Sequence, residues 1–312
     1  MLHRERTITT RAPRTSMSTV YSTFNTPMER KQPEIMLQRL LALAVHLLLW
    51  GRVLTCAGVN VTDMEFGVGS ASTSTEGVMG VGFVYNEAIL EYSNTSPYPN
   101  LVDQMVSQNL IESQTYSLYL DDLDASTGII LFGGVDTDKF SGTLATLPIN
   151  VDTTDTASAF VITLTGLSLT PPGKSTEGIG ASSQYPLNAL LDSGSSYMSL
   201  PSEVVSSIAS VMGASYSRQL GGYILPNCDQ QYSSGSLNFF FSGVEIQIPY
   251  DEFIVNPTAT DGTPFLYNDG SEVCMLGILA ESSSEGGLAV LGDTFLRSAY
   301  VVYDLVAPVF SL

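Results

Sequence analysis

From Gly58 onward the chain consists of short apolar runs separated by Gly, Ser, Thr and Asp, spaced too closely for long helices. Phe160, Ile162 and Leu164 alternate with Val161, Thr163 and Thr165, the period of two that marks a half-buried strand. Tyr116 to Leu120 and Ile129 to Phe132 flank the polar stretch from Asp121 to Gly128 and predict a hairpin, with a further strand over Thr143 to Ile149. Leu237, Phe239 and Phe241 face Val244, Ile246 and Ile248 across Ser242-Gly243, predicting a second hairpin with Glu245 and Gln247 on its wet side. Late strands are expected over Leu288 to Leu291 and Tyr300 to Tyr303.

Two stretches keep a helical period. Asn100 to Asn109 gathers Leu101, Val102, Met105 and Val106 on one face, and Asn109 is suited to end it. The second starts at Pro201, a residue suited to the first position of a helix. It carries Val204, Val205, Ile208, Val211 and Met212 and stops at Gly213. The expected fold class is therefore mainly β, with sandwich-like or barrel-like lobes.

The first 56 residues differ. Residues 1–34 are polar and basic without periodicity and are expected to lack regular structure. Leu40 to Trp50 is an apolar run interrupted by His46, short for a bilayer span but of signal-peptide length. Thr55-Cys56-Ala57 then offers a small-residue cleavage site. A membrane anchor at 40–50, or sequence foreign to the domain, are the competing readings. The organisation expected is a basic leader at 1–56, a partial lobe at 57–155 and a second lobe at 156–312.

Charge sharpens this division. The net charge is −19, yet eight of the 12 basic residues and only three of the 31 acidic ones precede Val53. The body keeps Lys139, Lys174, Arg218 and Arg297 as its only cations, a poor match for nucleic acid or an anionic membrane. Its self-repulsion relaxes towards the pI near 4.2, which points to acidic surroundings. Both histidines, His3 and His46, lie in the leader, which removes Ser-His-Asp and Cys-His catalysis and most zinc sites from the body. Phosphate-cradling glycine motifs and the G-x-S-x-G elbow are missing too. Chemistry in the body is left to carboxylates, hydroxyls and backbone, with no cofactor or metal expected.

Cys228 and Cys274 can close a loop worth roughly 4 kcal/mol by chain entropy, or can be two buried thiols. Asn60-Val61-Thr62 and Asn94-Thr95-Ser96 are glycosylation sequons at Asn60 and Asn94, and agree with a secreted protein.

One carboxylate stands out. Ala189-Leu190-Leu191 delivers Asp192 into the tight turn Ser193-Gly194-Ser195-Ser196, and an apolar run leaves through Tyr197, Met198 and Leu200. Such an Asp is either an acid/base group or an ordinary Asx-turn. Gly77-Val-Met-Gly-Val-Gly82 and Gly287-Leu-Ala-Val-Leu-Gly292 are two similar glycine-bounded apolar strands, one in each half. With Ile130-Leu-Phe-Gly-Gly-Val-Asp136, Cys228 with Cys274, and Asp293-Thr-Phe295 leading to Val301-Val-Tyr-Asp304, these motifs occur in an order that resembles the pepsin-like aspartic proteases of the fungal secreted kind.

The resemblance runs from about Gly58 to Leu312. It implies a bilobal acid-protease fold binding a polypeptide in the cleft between lobes, a monomer, and passage through the secretory pathway. It implies that Asp192 is the carboxyl-terminal lobe's catalytic Asp and that Ser193 ties two catalytic loops together. Gly194 and Ser195 are expected to line the cleft, with Leu288 to Gly292 threading beside the loop. The amino-terminal lobe is incomplete in this reading, because the sequence holds no second Asp-Thr/Ser-Gly and no counterpart of the family's flap tyrosine. The expectation is an aspartic endopeptidase by family whose written chain has little activity alone. The alternative is a non-catalytic homologue that binds peptides or proteins.

Overall fold

The computed structural model describes residues 20–23, 53–56, 58–66, 78–87, 90, 96–125, 127–151, 157–259, 261–281, 288–306 and 309–312. The apolar run at 40–50 and the sequon at Asn94 lie outside the described residues. The first strands are β1 (Val20–Thr23), β2 (Leu54–Cys56), β3 (Val59–Val61), β4 (Thr115–Tyr119), β5 (Ile129–Phe132) and β6 (Thr146–Pro148). Then come β7 (Val161–Thr170), β8 (Glu177–Ile179), β9 (Leu187–Leu191), β10 (Met198–Pro201), β11 (Ser215–Ser217), β12 (Gly222–Ile224), β13 (Ser236–Phe241) and β14 (Val244–Pro249). The last are β15 (Ile254–Val255), β16 (Met275–Leu276), β17 (Ile278–Glu281), β18 (Ala289–Leu291), β19 (Val301–Asp304) and β20 (Val309–Ser311). Four helices, α1 (Leu101–Ser107), α2 (Ser202–Met212), α3 (Tyr250–Phe253) and α4 (Asp293–Leu296), complete the described α-helical structure.

The fold is mainly β, as the pattern predicts. A six-stranded sheet runs β1-β5-β4-β19-β20-β6, and an eight-stranded path runs β14-β13-β7-β9-β18-β10-β17 with β8 on β7. A four-stranded sheet, β11-β12-β16-β15, and the β2–β3 hairpin complete the set.

The β13–β14 hairpin forms in the expected register, with Leu237 opposite Ile248, Phe239 opposite Ile246 and Phe241 opposite Val244. Gly243 takes φ 84°, the left-handed conformation its tight turn requires. Ile246 and Ile248 point inward while Glu245 and Gln247 are exposed. The β4–β5 hairpin also forms as read.

Helix α1 begins one residue later than the apolar period suggests, because Asn100 is its cap. The Asn100 side chain accepts from the Asp103 N–H at 3.0 Å, and the Asp103 carboxylate accepts from the Asn100 N–H at 3.1 Å. Helix α2 likewise takes Pro201 as the flanking residue, not the first helical one. It ends at Gly213 with φ 68°. Its buried stripe is Val204, Val205, Ile208, Ala209 and Met212, whereas Val211 falls on the exposed side of the turn. The strand expected over Thr143 to Ile149 is confined to β6.

Three stretches depart from expectation. Within the segment read as structureless, Val20–Thr23 pairs antiparallel with β5. Leu54–Cys56, which holds Thr55 and Cys56 of the candidate cleavage site, pairs with Val59–Val61, and Leu54 and Val61 are buried. Val78 to Gly82 has the composition of a buried strand but belongs to no ladder among the described residues. A strand needs a hydrogen-bonding neighbour as well as an apolar pattern, and here the pattern stands without one.

Candidate active site

Strand β9 carries Asp192 at its carboxyl end, and Met198 opens β10 on the other side of the turn. Strand β18 lies between these two legs. It runs parallel to β9 with Ala289, Val290 and Leu291 opposite Ala189, Leu190 and Leu191, and touches β10 antiparallel at Val290 and Ser199. The Asp192 N–H donates to the Leu291 carbonyl at 3.1 Å, so the turn is pinned where it leaves the sheet.

Within the turn the carboxylate is held from both sides. One oxygen of Asp192 accepts from the Gly194 N–H at 2.8 Å, and the other accepts from the Ser195 hydroxyl at 2.7 Å. The Asp192 carbonyl accepts from the Ser195 N–H at 3.2 Å. Asp192 is part-exposed, and Gly194 is open to solvent. A carboxylate fixed by two donors and still reachable from outside has the geometry of a positioned acid/base group. Ser193 stands half-buried beside it and makes no hydrogen bond among the described residues.

Beneath the turn, Gly292 and α4 dock directly on it. A side chain at Gly292 would place a Cβ 2.2 Å from the Ser195 carbonyl oxygen and 2.5 Å from that of Tyr197, so no other residue fits. The next amide, of Asp293, donates to the Ser195 carbonyl at 2.8 Å, and that of Thr294 to Ser196 at 3.3 Å. The Thr294 hydroxyl accepts from the Met198 N–H at 2.9 Å and donates to the Gly277 carbonyl at 3.0 Å, clamping the second leg.

Sequence reasoning placed Asp293 in a motif but gave it no role. Its side chain is 1% exposed, and neither carboxyl oxygen has a hydrogen-bond partner among the described residues. Burial pushes its pKa up to about 8; Arg297 pulls the other way, and the negative charge of Asp192 adds to the rise. The signal available was an Asp lodged between the apolar run Leu288 to Leu291 and Phe295, a stretch whose composition marks it for burial. Tyr303 is also fully buried. Desolvation raises its phenol far above the usual range, with Asp192 and Asp293 adding to the rise. Arg297, one turn after Asp293, donates to the Glu252 carboxylate at 2.9 Å and to the Glu252 carbonyl at 2.6 Å in a buried ion pair.

Away from the turn, Cys228 and Cys274 form a disulfide with Cα atoms 5.4 Å apart. Asn60 is exposed on β3, where it accepts from Thr55 at 2.8 Å. Among the described residues no cluster of His, Cys, Asp and Glu is arranged to hold a metal.

A family model for eukaryotic aspartyl proteases matches residues 51–312. The chain belongs to that family. Among its curated relatives, it is 42% identical over 248 residues to the "Probable aspartic-type endopeptidase opsB" of Aspergillus oryzae, covering 80% of this chain and 49% of that protein. It is 37% identical over 253 residues to the "Acid protease" of Saccharomycopsis fibuligera, covering 80% and 58% respectively. The chain thus spans about half the length of the curated relatives it matches. The solved aspartic proteinase from Irpex lacteus shares the fold with a TM-score of 0.65 at 20% identity, over 83% of this chain and 74% of that one. The pepsin-like architecture expected from the ordered motifs is the architecture observed.

Proposed function

We propose that this chain carries the Asp192 half of a two-carboxylate endopeptidase site working at acid pH on polypeptides held between two lobes. The observation that carries the reading is the Asp192 turn itself: a solvent-reachable carboxylate held by Gly194 and Ser195 where β9, paired parallel with β18, ends. Two carboxyl groups placed together share one proton, because both cannot ionise at close range. The ionised member takes a proton from water as its oxygen bonds to the scissile carbonyl carbon, and the protonated member gives its proton to the carbonyl oxygen. The tetrahedral diol then collapses: the carboxyl that took water's proton gives it to the leaving nitrogen as the C–N bond breaks, and the other carboxylate takes back the proton of a diol hydroxyl. Asp192 takes one of these roles, and Gly194 and Ser195 keep it in position while lining the substrate path. A role for Ser193 in tying two catalytic loops together belongs to the same reading.

The sequence carries one Asp-Ser-Gly triplet, so Asp192 alone supplies one carboxyl of the pair without its partner. The purified chain is expected to leave denatured protein uncut at about pH 3.5, the range in which paired carboxyls share a proton. Joined to the preceding region of the Aspergillus oryzae relative, it is expected to cut. Asp192→Asn in that fusion should lower kcat/KM by about 10³-fold or more. A fusion that cuts equally well without Asp192 would overturn the assignment.

The single triplet also favours a second reading, a homologue that binds polypeptide without hydrolysing it. Saturable binding of unfolded protein by the chain alone, with no cleavage by the fusion, would select it. We further infer a secretory route and a monomer, supported by the sequon at the exposed Asn60 and by the relatives' fungal acid-protease character. Among the described residues no helix is long and apolar enough to cross a membrane.

A further inference from the structure

We propose that Asp293 is a proton-gated positioning residue for the Asp192 turn: while its carboxyl group is protonated α4 stays docked beneath the turn, and loss of that proton releases it. The docking contacts are the Asp293 and Thr294 amides on the Ser195 and Ser196 carbonyls, and the Thr294 hydroxyl under Met198. Asp293, whose own amide makes the first of these contacts, has a side chain only 1% exposed that finds no donor among the described residues for either oxygen. A neutral carboxyl tolerates such a place; a carboxylate there has lost its water and gained no hydrogen bond.

The groups around it do not rescue the charge. The charge of Asp192, in the turn above, disfavours a second negative charge. Tyr303, from β19, feels both carboxyls and keeps its proton. Tyr197, in the turn, is likewise held protonated by burial. Arg297 is the one cation acting on Asp293, and it already binds Glu252 of α3, whose neighbour Asp251 adds further negative charge. Strands β10 and β18, which also flank α4, bring no ionisable side chain. Deprotonation is therefore relieved by movement, and the cheapest movement is separation of α4 from the turn. The consequence is a turn ordered in acid and neutral solution and loosened in alkali, whatever chemistry Asp192 performs.

The test reads docking, not catalysis, so it stands or falls separately from the endopeptidase reading. Hydrogen exchange of a peptide spanning Asp293 to Leu296 is followed in the full chain and corrected for the intrinsic pH dependence. Protection is expected to fall about tenfold or more between about pH 6.5 and 9 in the wild type, and to stay within about twofold in Asp293→Asn. Wild-type protection that survives to pH 9, or an equal loss in Asp293→Asn, overturns the proposal. Should Asp293→Asn fail to fold, the carboxyl carbon of Asp293 in labelled wild-type protein provides a second reading. A titration midpoint near 8 that coincides with the loss of protection supports the gate. A midpoint in the ordinary carboxylate range overturns it.

Discussion

At the scale of single residues, the buried carboxyl of Asp293 ties the stability of the whole fold to pH. Its folded-state pKa is raised to about 8 from an ordinary value of 3.8. Below the ordinary value both folded and unfolded chains hold the proton, and the group contributes nothing. Between the two values the folded chain keeps the proton while the unfolded chain releases it. The unfolded state then binds fewer protons, and stability falls as pH rises, by about 1.4 kcal/mol per pH unit from this group. Asp293→Asn lacks the ionisation. Its stability relative to wild type should climb from near parity at pH 4 to several kcal/mol by about pH 8. Urea-unfolding midpoints of both proteins across that range check this, and parallel curves would show that Asp293 does not carry the slope. Asp192 and its turn were legible from sequence because a carboxylate between apolar runs and a Ser/Gly turn is a local pattern. Asp293 was not, since its chemistry comes from burial beneath the Asp192 turn and beside Tyr303, segments distant in sequence that only the fold brings to it.

At the scale of elements, the hairpin β13–β14 shows what periodicity can reach. Its strands, register and wet face were all readable, because alternation and a glycine turn leave few other arrangements. Helix α2 was readable to within a residue at each end, and its one misplaced face residue, Val211, lies at the margin of the stripe. Val78 to Gly82 failed for the opposite reason: an apolar pattern reports a tendency to be buried and is silent about which strand will pair with it. The hairpin also matters to the site. Phe239 is fully buried and meets Phe295 of α4 edge-on at 5.1 Å, while Phe241 approaches the same ring at 6.0 Å. Phe295 therefore anchors α4 from below as the Ser195 carbonyl anchors it from above. Phe239→Ala removes the larger part of that floor and should cost about 3–5 kcal/mol by denaturant unfolding. It should also lower hydrogen-exchange protection in α4 before that in β7, since β7 keeps its pairing with β9. Equal loosening in both would mean that the ring contact does not hold α4 specifically.

At the scale of the molecule, the two parts of the chain are joined by a sheet that no local pattern announces. Strand β19, from the last dozen residues, pairs with β4 by setting Val301 opposite Leu118 and Tyr303 opposite Tyr116, whose rings stack at 4.6 Å. Strand β20 then lies between β19 and β6, and Leu312 exchanges two backbone hydrogen bonds with Ala145 at 2.8 and 2.9 Å. Among the described residues β20 is the strand that pairs with β6, so the β6 ladder runs through those final residues. The pattern marked these segments as strands; it could not rank pairings between positions so far apart in sequence, because loop closure makes many of them comparable in cost. The dependence can be checked directly. A chain ending at Leu305 keeps β19 but loses β20, leaving the β6 backbone without its ladder and the outer edge of β19 unpaired. Limited proteolysis of this truncated chain should cut between residues 143 and 151 well before the wild type is cut there. The β13–β14 hairpin and the segment around the Cys228–Cys274 disulfide, which lie outside the six-stranded sheet, should keep wild-type resistance. Accelerated cutting throughout would mean that the six-stranded sheet supports the entire fold, whereas unchanged cutting at 143–151 would mean that β6 is held by something other than β20.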